Sequence, residues 1–292
     1  MMRRQSQQGF TLVEMIMVIV ITGIIGGIVA VFLKAPIQQY MDVARRAGMT
    51  DIADTALRRI GRDLRLALPN SVRVTTGTCP GGTGTCGFLE FLPTKDGGRY
   101  RVDPGTGTLC TAVAGNAGGD ALSFDTADTC FEVLGPMPVA AAGDSVVVYN
   151  MTSNPLDTNP NAYVGGNRAA YASTAGAVMK ITSKLFPFDS PGHRFQIISK
   201  PVTYVCDPNV GNTLTRYWNY NILAGQPTTA AQLSAGVTAA SAMLANHVST
   251  CSFSYDLFVV AQRSGLVTMN LGITEDNETV TLYSAAHVSN EP

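Results

Sequence analysis

Gly9-Phe10-Thr11-Leu12-Val13-Glu14 opens the stretch that decides the fold, which runs on as MIMVIVITGIIGGIVAVFL to Leu33. From Phe10 to Leu33 there is one charge, Glu14. About 20 consecutive apolar residues span a bilayer as a helix, so this segment predicts a transmembrane helix. It is preceded by MMRRQSQQG and followed by Lys34. An ordinary secretory signal has a shorter apolar core with a small-residue cleavage site after it. Here the small residue, Gly9, stands before the apolar run. Arg3 and Arg4 favour a cytoplasmic leader, which places everything after Lys34 outside the inner membrane.

Glu14 is the anomaly in this helix. A carboxylate at the centre of a membrane helix costs on the order of 2.5–3.5 kcal/mol on insertion scales. Glu14 either sits near the cytoplasmic interface and reaches water, or meets a positive charge. A cut between Gly9 and Phe10 creates such a charge, a new α-amine four residues before Glu14. Pairing of Glu14 with the amine of Phe10 on a neighbouring subunit then satisfies two costly charges only on assembly.

The run from Gly9 to Glu14 resembles the class III signal of type IV pilins and type II secretion pseudopilins. The resemblance implies a prepilin peptidase that cuts after Gly9 and N-methylates Phe10, with Glu14 as the assembly carboxylate. It also implies other major and minor pilins and an inner-membrane assembly platform as partners. No cofactor and no catalytic role follow from it. Many members carry a proline where this chain has Val31; here Gly23, Gly26, Gly27 and Pro36 are the expected soft points.

Beyond the membrane the apolar positions Ile37, Tyr40, Met41, Ala44, Ile52, Ala56, Ile60, Leu64 and Leu68 recur at steps near four, with Gly48 in the gap. Charged residues largely take the other positions, which predicts an amphipathic continuation. Pro69-Asn70 is the expected stop. A helix from Phe10 to Leu68 is roughly 89 Å long at ~1.5 Å per residue. The expected organisation is therefore a leader (1–9), a transmembrane and assembly helix (10–33), its amphipathic continuation (34–69) and a β-rich head (70–292). The fold class is α+β and pilin-like, the helix packing on a mostly antiparallel head. The head is expected in the periplasm before assembly and at the cell surface after it.

After Asn70 short strands are expected at 71–76, 87–92, 99–102, 121–124, 145–150, 178–183 and 194–199, between Gly/Pro/Asn-rich turns. The clearest alternation lies at 265–274, with Val267, Met269, Leu271 and Ile273 on one face. Residues 278–283 repeat it with Val280 and Leu282, and Asp276-Asn277 makes the hairpin turn. The Ala-rich stretch 228–247 reads as a short helix or a loose insert. The segments VTYVC (202–206), LTRYWNY (214–220), CSFSY (251–255), GLVTMNL (265–271) and HVSNEP (287–292) resemble the head of the large minor pilin of the MSHA (mannose-sensitive haemagglutinin) pilus. They are also similar to the J-type minor pseudopilin of type II secretion. The resemblance implies a subunit at or near a filament tip, supporting pilus biogenesis and adhesion. The rival class is a membrane-tethered periplasmic enzyme or binding domain. Residues 77–191 match neither family pattern.

Composition narrows the rest. With 20 Lys+Arg against 21 Asp+Glu the net charge is −1, which gives no electrostatic footprint for nucleic acid. Six cysteines, Cys79, Cys86, Cys110, Cys130, Cys206 and Cys251, allow fifteen pairings. Nearest-in-chain pairing in an oxidising compartment is expected, against zinc binding, since no CxxC occurs. Gly82-Thr83-Gly84-Thr85-Cys86-Gly87 fits GxGxxG, but Phe88-Leu89-Glu90-Phe91 and Pro93 read as a following strand, not the helix a dinucleotide needs. Asp125 and Asp128 are the only calcium candidates, and two carboxylates without a fuller ligand set favour a solvated turn over a metal site. Trp218, with Tyr217 and Tyr220, is either an adhesive aromatic patch or partly core.

Overall fold

The computed structural model describes residues 9–105, 110, 119–256 and 264–292; the leader residues Arg3 and Arg4 lie outside them. A long helix, α1 (Leu12–Leu64), is followed by a β-rich region whose paired strands are all antiparallel. This is the α+β, pilin-like fold expected from the sequence. The helix passes from one compact unit, ending at Met49, into a second, Thr50–Pro292.

In the first unit the large apolar side chains are exposed along the helix as far as Val43, with Phe10 at 82%, and Met49 at its end is buried. No protein atom covers the apolar window long enough to cross a membrane. Ile37, Tyr40, Met41 and Val43 are exposed as well. The helix runs on through Pro36.

In the second unit α1 buries Ala53, Ala56, Leu57, Ile60 and Leu64, a stripe at steps of three and four. Ile52, expected in that stripe, lies at its exposed border. The helix stops four residues before the expected Leu68. The reason is that Leu68 N–H donates to the Leu92 carbonyl (2.8 Å) and Thr94 N–H to that of Leu66 (2.6 Å). The backbone of 66–68 is used for pairing with the sheet, so it cannot continue the helix.

Two sheets and a barrel follow. The first sheet has the order β1 (Arg73–Thr78), β2 (Thr85–Phe91), β9 (Val202–Asp207), β10 (Thr213–Trp218) and β11 (Ala240–Ala245). The second is β12 (Val248–Asp256), β13 (Ser264–Glu275) and β14 (Glu278–Ser289). Between β2 and β9 the chain leaves to build a closed barrel in the order β3-β4-β7-β6-β5-β8. Its strands are β3 (Thr94–Tyr100), β4 (Asp128–Leu134), β5 (Ser145–Val148), β6 (Arg168–Ala175), β7 (Val178–Lys184) and β8 (Arg194–Ile198). Entry and exit are neighbours, because Phe91 pairs with Val202 and Ser199 N–H donates to the Pro93 carbonyl (3.1 Å). The barrel is thus an insertion into one hairpin of the first sheet. It fills its interior with residues of its own, including Tyr100, Phe131, Val146, Met179, Phe195 and Ile197. Closure removes the open edges that a free sheet would leave.

Several sequence expectations are corrected here. Residues 121–124 are not a strand, although Leu122 reaches the barrel core. β4 and β6 lie where no strand was expected. In β4 the pattern DTCFEVL alternates poorly, with Cys130 and Phe131 both buried. The stretch 228–247 holds a four-residue helix, α2 (Ala230–Leu233), and β11. Thr229 and Gln232 form a capping box at its start. The 276–277 turn has φ of 48° and 65°, left-handed at both positions as a tight I′ hairpin requires. Val267, Met269, Leu271 and Ile273 are all buried, whereas Val280 and Leu282 are only half-buried and β14 buries Ala286 and Val288 instead.

The cysteines pair as Cys79–Cys86, Cys110–Cys130 and Cys206–Cys251, with Cα separations of 4.9, 5.4 and 6.3 Å. The third bond joins β9 of the first sheet to β12 of the second. Changing both Cys206 and Cys251 to serine is expected to cost about 2–4 kcal/mol of unfolding free energy. A shift of the urea midpoint in non-reducing buffer reads this, and an unchanged midpoint would show that the two sheets hold together without the bond.

Candidate processing and assembly site

The N-terminal motif is built around a helix start. Gly9, Phe10 and Thr11 are not helical, and α1 begins at Leu12. Glu14 N–H donates to Thr11 Oγ1 (3.3 Å), and Met15 N–H donates to the Thr11 carbonyl (3.2 Å). Thr11 is therefore the N-cap, and Glu14 sits three residues on, in the first turn. Thr-x-x-Glu is the sequence signature of a capping box. Thr11 is thus a structural part of the motif, and the T-x-x-E spacing is the signal in the sequence that announces it.

The placement changes the account of Glu14. A carboxylate in the first turn lies at the positive end of the helix dipole, worth about 0.3–1 kcal/mol in its favour at an exposed site. Its cost within the span is lowered by the helix itself. The Glu14 side chain is exposed, and among the described residues it has no ion-pair partner. Gly9 is exposed too, and a Cβ built on it meets nothing within 4 Å. Among the described residues nothing requires glycine there.

The other candidates are placed elsewhere. Asp128 is spent on its own turn: one carboxylate oxygen accepts from Ser123 N–H (2.9 Å), the other from Thr129 N–H (2.7 Å) and Cys130 N–H (3.2 Å). Asp125 is exposed, and neither residue belongs to a close group of three or more metal-ligand atoms among the described residues. Two such groups do occur, Cys79/Cys86/Asp207 and Cys110/Asp120/Cys130. In both, the sulfurs are committed to disulfides and offer no thiolate. The Gly82–Gly87 stretch is a turn with left-handed Gly82 and Gly84, running into β2. Of the aromatic trio, Tyr220 is fully buried and the Arg216 guanidinium lies over the Trp218 ring (4.9 Å).

A buried charge cluster was not foreseen. Arg73 Nε donates to Glu90 (2.5 Å), and its other nitrogens donate to the carbonyls of Leu223, Ala224 and Gly225. Tyr220 Oη donates to the second Glu90 oxygen (2.6 Å), and the Arg73 guanidinium lies 3.6 Å from the centre of the Tyr163 ring. Both carboxylate oxygens are satisfied, and the cluster ties the 221–226 loop to the first sheet. Burial pushes the Glu90 carboxyl above its usual range, with Arg73 and Tyr220 pulling the other way. Between the ordinary carboxylate value and this raised one, the folded chain holds a proton that the unfolded chain has lost. Stability from this group accordingly falls as pH rises through that window. Glu90→Gln is expected to flatten this fall in urea titrations run upward in pH from the ordinary carboxylate range, and an unchanged slope would assign it to other groups.

The N-terminus matches the family model for the prokaryotic N-terminal methylation motif, over residues 4–30. Among curated proteins, the large chain of the NADPH glutamate synthase of Azospirillum brasilense is 30% identical over 123 residues. That match covers 41% of this chain and 8% of the relative, so the chain spans less than a tenth of that enzyme. No solved structure matches the chain. The methylation motif marks a type IV pilin-like class III signal, hence a prepilin-peptidase substrate associated with a membrane.

Proposed function

We propose that this chain is a minor pilin of the MSHA type, cut after Gly9, N-methylated on Phe10 and assembled through Glu14 at or near a filament tip. The observation that carries the reading is the methylation motif set on a capped helix start, with an uncovered apolar helix behind it and a large β head beyond. The head motivates the tip placement, since the inserted barrel makes it hard to repeat along a close-packed shaft. The role is structural and non-catalytic. Its partners are the prepilin peptidase, other major and minor pilins and the inner-membrane assembly platform. Before assembly the head sits in the periplasm; afterwards it is on the surface.

The first test is mass spectrometry of the N-terminus from the native host. A mature chain beginning at N-methyl-Phe10 is expected, and a chain retaining residues 1–9 would overturn the reading. Glu14→Gln is the second arm. It keeps the size of the side chain and removes the charge, so cleavage is expected to continue. Recovery of the subunit in sheared filaments is expected to drop at least about tenfold, the loss for an ion pair worth about 1.4 kcal/mol or more. Equal recovery would remove Glu14 from assembly. Deletion of the gene separates the two machines: loss of surface pili supports the pilus assignment, whereas loss of protein secretion with pili intact would replace it with the J-type pseudopilin.

A further inference from the structure

We infer that the outer edge of β14 is a docking site for an extended, acidic segment of another polypeptide, which pairs with it as an added strand. β14 is the edge of its sheet and has 12 residues, twice the length of the edge strands β1 and β11. Its register with β13 runs unbroken from Glu275↔Glu278 to Ser264↔Ser289. By contrast β12, on the other side of the sheet, carries a register shift between Val248 and Thr250. Among the described residues the backbone hydrogen bonds of 279–288 go to β13.

Sheet edges are normally blunted by lysine, proline, a bulge or a covering element. From Thr279 to Ser289 this edge has no charged Lys, Arg, Asp or Glu, no proline and no bulge. An edge so regular is a template for strand addition, in which backbone bonds give the affinity and flanking side chains the choice of partner.

The flank supplies that choice. Ser284, Ala285 and Ala286 of β14 line a cleft of about 560 Å³ shared with Arg58, Arg62 and Arg65 of α1. All three arginines are exposed. Arg58 pairs with Asp54 (2.7 Å), while Arg62 and Arg65 have no partner among the described residues. No acidic side chain lines the cleft. A strand laid along β14 with carboxylates on its side chains would complete both the edge and the arginine row. This goes beyond the assembly reading and holds whether or not the chain is cut at Gly9.

The test uses the full chain in detergent and a fluorescent ten-residue peptide of alternating valine and threonine with two glutamates. Its controls are the same peptide with lysine for glutamate, and with alternate backbone nitrogens methylated. The glutamate peptide is expected to bind at least about tenfold more tightly than either control, and more weakly as salt rises. Arg62→Gln with Arg65→Gln is expected to remove the glutamate preference while the melting curve stays in place. Equal binding of the methylated peptide would overturn strand addition. Equal binding of the lysine peptide would overturn the acidic partner. Self-association of the free chain, abolished by the same two substitutions, would overturn the foreign partner by placing a second copy in the cleft.

Discussion

A chain carrying Gly9→Val is expected to keep its leader, with mature product reduced by about 10–200-fold, the range that added methyl groups cost in a closely fitting enzyme pocket. The physical basis is that Gly9 is not needed by the fold. It is exposed, no atom lies within 4 Å of a Cβ at this position, and α1 begins only at Leu12. Among the described residues the valine methyls therefore meet nothing, which leaves the peptidase pocket to reject them. The Thr11 cap and the Glu14 first-turn position are preserved in the variant. Mass spectrometry of the membrane fraction reads the outcome, and unchanged thermal melting confirms an intact head. Normal cleavage of Gly9→Val would remove the signal assignment, because a peptidase that accepts a β-branched residue there is not reading this motif. The uncut chain also lacks the Phe10 amine, so it is expected to be absent from filaments even with Glu14 intact. That makes the valine variant more damaging than the loss of the carboxylate alone.

The helix and its signal were legible because they rest on local physics. A run from Met15 to Leu33 without a charge, directly behind the Gly9–Glu14 motif, is written in consecutive residues. The β13–β14 hairpin was legible for the same reason, a period-two pattern on each side of a turn-forming pair. The cysteine partners, guessed from proximity in the chain, are those the structure joins. Of the barrel, β5, β7 and β8 lie where strands were expected, but β4, β6 and the closure were not legible. Its strands are short, and β3 reads TKDGGRY, with glycines and charges where apolar residues would announce a strand. It forms because closure satisfies its backbone and gathers Tyr100, Phe131 and Phe195 from distant segments, which no window of sequence displays. The Arg73–Glu90 pair was hidden likewise: the two face each other in the β1–β2 register, but that register exists only once the strands have met. On α1 the expected stripe holds at Ala56, Ile60 and Leu64, whereas Ile37, Tyr40, Met41, Ala44 and Ile52 are exposed and Met49, Ala53 and Leu57 are buried instead.

Tyr163→Ala is expected to cost about 3–5 kcal/mol, the range for deleting a buried aromatic ring. Tyr163 belongs to the loop between β5 and β6, so by sequence it is part of the barrel insertion. Its ring nevertheless packs with Leu68 and Leu92, where α1 ends and β2 runs out, and with Ile198 at the barrel exit. It also covers the Arg73 guanidinium, and its hydroxyl donates to the Ser71 carbonyl (2.9 Å). Nearby, Asn150 Nδ2 donates to the Pro69 carbonyl (2.7 Å) and Ser153 Oγ to that of Val72 (3.2 Å). The loop thus clamps the segment that leaves the helix. Removing the ring leaves a cavity and opens the buried Arg73–Glu90 pair to water, so the loss is felt by sheet and barrel together. Tyr163→Phe separates the contributions: it keeps the ring and leaves the Ser71 carbonyl without its partner, for about 1–3 kcal/mol. Urea unfolding followed by both tyrosine fluorescence and far-UV circular dichroism reads the result. One shared transition moving to lower urea in the order wild type, Phe, Ala is expected. If Tyr163→Ala instead leaves the midpoint within about 1 kcal/mol of wild type, the barrel would be an appended domain with a separable stability. The clamp on 68–73 would then be a consequence of folding, with no part in holding the insertion to the helix-bearing core.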